Sequence, residues 1–148
     1  MQLDPVEIQK LLPHGPRMRL IDGVSHFNSE VLHAMSRRHQ DLNNPLRRPS
    51  GTLPIAAGLE FAGQATALHG ALIDSGDEPS KREGYLVMAR DVSWTVDRLD
   101  HLASDLEIVV KLIHRNDLSA MYEYHLGTQH QPYMMRGRMA VYFQGAGM

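Results

Sequence analysis

Pro54-Ile55-Ala56-Ala57-Gly58-Leu59-Glu60-Phe61-Ala62-Gly63-Gln64-Ala65-Thr66-Ala67-Leu68-His69-Gly70-Ala71-Leu72-Ile73 is the stretch on which the fold turns. Proline suits the first turn of a helix, and none interrupts the run that follows. Its apolar residues do not keep to one stripe. Ile55, Leu59 and Ala62 share one face, while Phe61, Ala65, Leu68 and Leu72 continue around the other. A helix apolar on nearly all sides belongs in an interior. Alanines and glycines at 56, 57, 58, 62, 63, 65, 67, 70 and 71 let neighbouring backbone approach closely. Asp74-Ser75-Gly76 marks its end.

Downstream of this helix the period changes. After a polar loop, Ser75 to Glu83, Tyr85 to Val96 reads as a long strand. Leu106, Ile108, Val110 and Leu112 alternate with Asp105, Glu107, Val109 and Lys111, as a half-buried strand requires. Asn116-Asp117 turns the chain into Ala120 to Leu126. Gly127 to Pro132 turns it again into Tyr133 to Phe143. Consecutive strands on short turns make an antiparallel meander.

Upstream, Asp4-Pro5 pairs a capping residue with a helix-starting proline ahead of a short helix, Val6 to Leu12. Met18 to Val24 reads as a strand, and Glu30 to Ser36 as a weaker one able to pair with it. Asp41 to Pro54 carries Pro45, Pro49 and Pro54, so it is irregular. The sum is an α+β domain, residues 1–148, with an antiparallel sheet curled around one buried helix.

Composition narrows the function classes. A formal charge of −2 does not mark a nucleic-acid binder. Cysteine is absent, which removes disulfides, zinc-thiolate sites and thiol nucleophiles. No segment approaches the ~20 apolar residues of a membrane span, and the start MQLDPVEIQK has no apolar signal run. The expected location is the cytoplasm. The nine histidines are scattered without metal-ligand spacing, so no metal and no cofactor is expected and most histidines are assigned to the surface. Met88, Met121, Met135 and Met139 are expected to fill core gaps or to line an acyl-chain tunnel. Arg37, Arg38, Arg47 and Arg48 gather around the long loop, either as a solvated face or as a docking patch for an acidic partner.

Glu60 is the residue that does not belong, because glutamate is rarely buried without a partner. One reading has it facing a solvent-filled gap or favouring the helix N-terminus. The other has a carboxyl in an apolar tunnel acting as general acid or base, with Gln64 one turn on to orient it or hold a water. His69, nine residues on, falls on the opposite side of the helix.

Two segments carry a family resemblance. Ile8-Gln9-Lys10-Leu11-Leu12-Pro13-His14, leading to Leu20-Ile21-Asp22-Gly23-Val24, resembles the N-terminus of the 3-hydroxyacyl-acyl-carrier-protein dehydratases of the FabZ type. Leu53-Pro54 through Glu60-Phe61-Ala62-Gly63-Gln64-Ala65 is similar to that family's central helix, and Gly51-Thr52-Leu53-Pro54 looks most like its small aryl-polyene-cluster branch. The resemblance implies a hotdog fold and a lyase acting on thioesters of acyl carrier protein or coenzyme A, in fatty acid or polyene biosynthesis. It places Glu60 at the catalytic acid, with Gln64, Pro54, Ile55 and Ala56 lining the substrate site. It also implies a dimer, homomeric or with another hotdog subunit. Active members hold a histidine in the loop before the helix, where this chain reads Asn43-Asn44-Pro45-Leu46. Asn44 stands at the histidine position, or Leu46 if the longer family loop is aligned without a gap; neither can abstract a proton, and the glycine expected after Pro54 is Ile55. His39 is a substitute base only if the loop folds back. A slow dehydratase, a non-catalytic acyl-binding or partner subunit, and a thioesterase using Glu60 alone all follow from that pattern.

Overall fold

The computed structural model describes residues 2–11, 18–74 and 84–143. Helix α1 (Pro5–Leu11) opens on a reciprocal capping box. Asp4 Oδ1 accepts the Glu7 N–H at 2.9 Å, and Glu7 Oε1 accepts the Asp4 N–H at 3.1 Å. The helix delivers Ile8, fully buried, to the core.

Strands β1 (Gly23–Phe27) and β2 (Val31–Ser36) form a hairpin. Asn28 sets its turn, its Oδ1 accepting the N–H groups of Glu30 and Val31. The central helix α2 (Gly58–Asp74) follows a 3-10 turn over Ile55–Ala57. Next come β3 (Gly84–Trp94), β4 (Leu106–Arg115), β5 (Ser119–Gly127) and β6 (Met135–Phe143). All pairings are antiparallel, in the order β1-β2-β4-β5-β6-β3. The meander β4-β5-β6 is the one the alternation predicts. Strand β3 returns past all of it to form an outer edge, hydrogen-bonded to β6.

The inward rows of the sheet, among them Leu32, Ile108, Val110, Tyr122, Leu126 and Met139, close on Phe61, Ala62, Ala65 and Leu68 of α2. Phe61 and Leu68 are completely buried, each worth ~1.5–3 kcal/mol relative to exposure. Gly58 lets the Met135 side chain pack close, since a Cβ there would stand 2.9 Å from Met135 Sδ and would make that side chain shift.

The structure departs from the sequence reading in several places. Met18 to Ile21 is not strand; β1 begins at Gly23 because the Gln64 side chain takes the polar groups of Met18 and Leu20. The helix is not covered all round: Ala56, Glu60 and Ala67 are exposed, and Gly63 and Gly70 are half-buried along the same line. His39 and His69 are interior rather than surface residues. Met135 and Met139 fill the core, Met121 is half-buried, and Met88 is exposed because it sits on the edge strand. The expected Ser75-Gly76 stop, the 75–83 loop and His14 lie outside the described residues. Among the described residues, no helix is long and apolar enough to cross a membrane.

Candidate active site

The start of α2 is held from outside by the segment that follows β3. Leu53 and Leu99 pair through Leu99 N–H to Leu53 O at 2.9 Å, and the Asp97 carbonyl accepts the Ile55 N–H at 2.9 Å. Asp100 Oδ1 accepts the Leu53 N–H at 2.9 Å and is gripped by the Arg98 guanidinium. That guanidinium holds the Asp100 carboxyl well below the usual carboxylate range. This splint sets where the helix begins and so where Glu60 points. Of the residues expected at the substrate, Pro54 and Ile55 are half-buried, with Ile55's N–H already engaged, and Ala56 is exposed at the first turn.

Glu60 stands on the open line of α2, flanked by Ala56, Gly63 and Ala67. Among the described residues no hydrogen bond or ion pair reaches its carboxylate. In the chain by itself the carboxyl faces solvent rather than an apolar tunnel. Gln64, one turn on, is turned into the fold. It is 2% exposed, its Oε1 accepting the Leu20 N–H at 2.7 Å and its Nε2 donating to the Met18 carbonyl at 2.5 Å. The amide is thus engaged at both ends, and it pins residues 18–20 to the helix instead of orienting Glu60.

The loop before the helix is equally specific. Asn44 is buried at 3% exposure; its Nδ2 donates to the Arg38 carbonyl at 2.8 Å and its Oδ1 accepts the Leu46 N–H at 2.9 Å. Arg47 turns into the same loop, donating to the carbonyls of Asp41, Gly51 and His39 at 2.9, 2.7 and 3.0 Å. The position at which the resemblance expects a catalytic histidine is therefore a structural knot, with both ends of the side-chain amide occupied by backbone. The loop does fold back, yet it does not offer His39 as a base. His39 is wholly buried, with Nε2 donating to the Leu102 carbonyl at 3.1 Å, and burial pushes its pKa down. The arginine cluster is also largely engaged: Arg37 pairs with Asp105, Arg38 with Asp41, and Arg47 with the loop, while Arg48 is exposed.

Sequence reasoning missed the second polar site of the interior. His69 Nε2 donates to the Asn28 carbonyl at 2.9 Å, and its Nδ1 accepts from the Tyr122 hydroxyl at 2.8 Å. The pair fastens the far end of α2 to the β1–β2 turn and to β5. A histidine with i+9 spacing from Glu60 does fall on the buried face, and that was the available signal. No group of histidine and carboxylate side chains among the described residues has metal-site geometry.

A family model for the ApeP dehydratases matches residues 6–145, nearly the whole chain. The chain belongs to this ApeP-like dehydratase family. Among solved structures, the dehydratase heterocomplex ApeI:P from Xenorhabdus doucetiae matches with a TM-score of 0.78 at 19% identity, covering 95% of this chain and 92% of that one. A mutant of thioesterase PA1618 from Pseudomonas aeruginosa matches at a TM-score of 0.58 and 18% identity, covering 95% of both chains. Thioesterase HI1161 from Haemophilus influenzae gives 0.61 and 14%, covering 95% of this chain and 90% of that one. Identities this low speak to the fold, which is the hotdog architecture that the antiparallel sheet and single long helix already describe. No curated protein matches the sequence.

Proposed function

We propose that this chain, one hotdog domain over residues 1–148, is the acid-bearing subunit of a 3-hydroxyacyl-thioester dehydratase whose base comes from a partner. One observation carries the reading: Glu60 is open on the helix face while Asn44, at the expected histidine position, has both ends of its amide bonded into its own loop. In the reaction, a partner's base takes the α-carbon proton, and the Cα–H electron pair forms the new double bond. Glu60 gives its proton to the departing β-hydroxyl, releasing water and a 2-enoyl thioester. The thioester carbonyl is placed at the exposed Ala56, on the 3-10 turn that leads into the helix.

The architecture favours such a partner. Among the described residues strand β3 is bonded along one edge only, and Met88 and Trp94 on it are 43% and 54% exposed. A second hotdog subunit pairing there would cover both side chains and the unpaired backbone. It would also bring a foreign loop over the line of Glu60. The acyl group is carried by acyl carrier protein or coenzyme A, within cytoplasmic fatty acid or polyene biosynthesis.

The test is hydration of an enoyl thioester on acyl carrier protein, by the chain alone and mixed with a hotdog subunit that bears the loop histidine. Loss of a general base costs about 10²–10⁴-fold, so the chain alone is expected to be slower than the mixture by that factor. Glu60→Gln should silence the mixture. Equal rates with and without the partner, or full activity in Glu60→Gln, would overturn the proposal, and free-thiol release by the chain alone would make it a thioesterase.

A further inference from the structure

Tyr124 projects from the inward face of β5, where it pairs with Gly137 of β6. It is 2% exposed, and its hydroxyl oxygen is buried with no hydrogen-bond partner among the described residues. An unpaired buried hydroxyl is costly, so the position calls for a partner that the described residues do not supply.

Three contacts locate that hydroxyl. A Cβ built on Gly137 would lie 3.1 Å from it, 2.9 Å from the Arg90 carbonyl oxygen and 3.2 Å from the Val92 Cα. The phenol therefore reaches beneath β6, at the one place where β6 has no side chain, and ends under the outer strand β3. That strand is distorted at the same point: its pairing shifts between Arg90 and Ser93, so Asp91 and Val92 together oppose Gly137, with Asp91 at φ 53°. The third coordinate is the helix. Gly58 lies against Met135 and Gly63 against Met139, the inward neighbours of Gly137 two residues to either side on β6. The helical turn between them carries Glu60. Tyr124 thus lies in the layer under the Glu60 turn and points toward the edge where a second subunit would close the site.

We propose that the Tyr124 hydroxyl contacts the substrate of the Glu60 site, donating a hydrogen bond to the β-oxygen of a 3-hydroxyacyl thioester. This rests on the reading of Glu60 as the acid of a thioester site and adds a basis for selecting 3-hydroxylated chains. Glu60 protonates the leaving oxygen, and Tyr124 fixes where that oxygen sits. The desolvation that raises the phenol's pKa keeps it a neutral donor. Gly137 is the companion requirement, since any side chain there would take the space through which the phenol passes.

The test compares binding of 3-hydroxyhexanoyl-pantetheine and hexanoyl-pantetheine, by calorimetry, to wild type and Tyr124→Phe, each mixed with a hotdog partner subunit whose loop histidine is replaced by alanine so that no turnover occurs. Wild type should favour the 3-hydroxy compound about tenfold, and Tyr124→Phe should bring the ratio close to one. Thermal unfolding is the second readout. A hydroxyl with no bond among the described residues loses none of theirs on deletion, so Tyr124→Phe should melt no lower than wild type. An unchanged binding ratio, or a variant that melts several degrees lower, would overturn the assignment of Tyr124 and leave the Glu60 site standing. A wild-type protein that binds neither thioester would remove the site itself and Tyr124 with it.

Discussion

Replacing Asn44 separates a vestigial base from a structural residue. A vestige would tolerate alanine. In this structure Asn44→Ala removes two hydrogen bonds, Nδ2 to the Arg38 carbonyl at 2.8 Å and the Leu46 N–H to Oδ1 at 2.9 Å, from a position 3% exposed. A net contribution of about 0.5–1.5 kcal/mol per bond puts the loss near 2 kcal/mol, since the loop surface lets water recover part of each. In a chain of this size that corresponds to a fall in Tm of about 4–8 °C. Asn44→Asp sharpens the test. It keeps the acceptor for Leu46 but sets a carboxylate against the Arg38 carbonyl, so it should be less stable than alanine at neutral pH. Asn44→His can satisfy at most one of the two partners. It should therefore melt lower than wild type without gaining hydration activity. Circular-dichroism melts and urea titrations on the three variants supply the numbers. A Tm for Asn44→Ala within about 1 °C of wild type would refute the reasoning, as would dehydratase activity appearing in a fully stable Asn44→His.

Gln64→Leu should cost about 2–4 kcal/mol, because it strands the buried Leu20 N–H and the half-buried Met18 carbonyl; faster hydrogen exchange at the Leu20 amide is the direct check, and wild-type protection there would count against it. Stability should fall on mild acidification. His39 and His69 are held neutral by burial, with folded pKa values below the unfolded value of about 6.5. Between those values the unfolded chain binds more protons, so this stability is complete above about 6.5 and drains as pH falls through the folded values. Tm should accordingly decline from pH 7.5 to 5.5, with a shallower slope in His69→Gln, and a flat profile would show that these rings accept a proton in place.

How the chain reads depends on whether a residue's partners are local. Glu7, which completes the capping box, was not read, but the cap at Asp4 and the alternation through β4 involve neighbours in sequence, and both were legible. So was the loop rich in proline, for proline forbids the alternatives. Glu60 stood out because a carboxylate in an apolar helix breaks the pattern, and Asn44 because a motif lacks its base. What each does was not legible. Asn44's donor and acceptor are backbone groups fixed only once the loop closes, and Gln64's partners lie 44 and 46 residues away.

By itself the sequence determined one helix, a meander and the isolated acid, since hydrophobic period and proline placement act within a turn or a strand. Tertiary structure alone decided that β3 crosses to the far edge, that one face of α2 stays open around Glu60, and that the Tyr124 hydroxyl has no hydrogen-bond partner among the described residues. Those outcomes depend on which surfaces remain uncovered after every strand has paired, and a residue's exposure to an absent neighbour leaves no mark on its own local pattern.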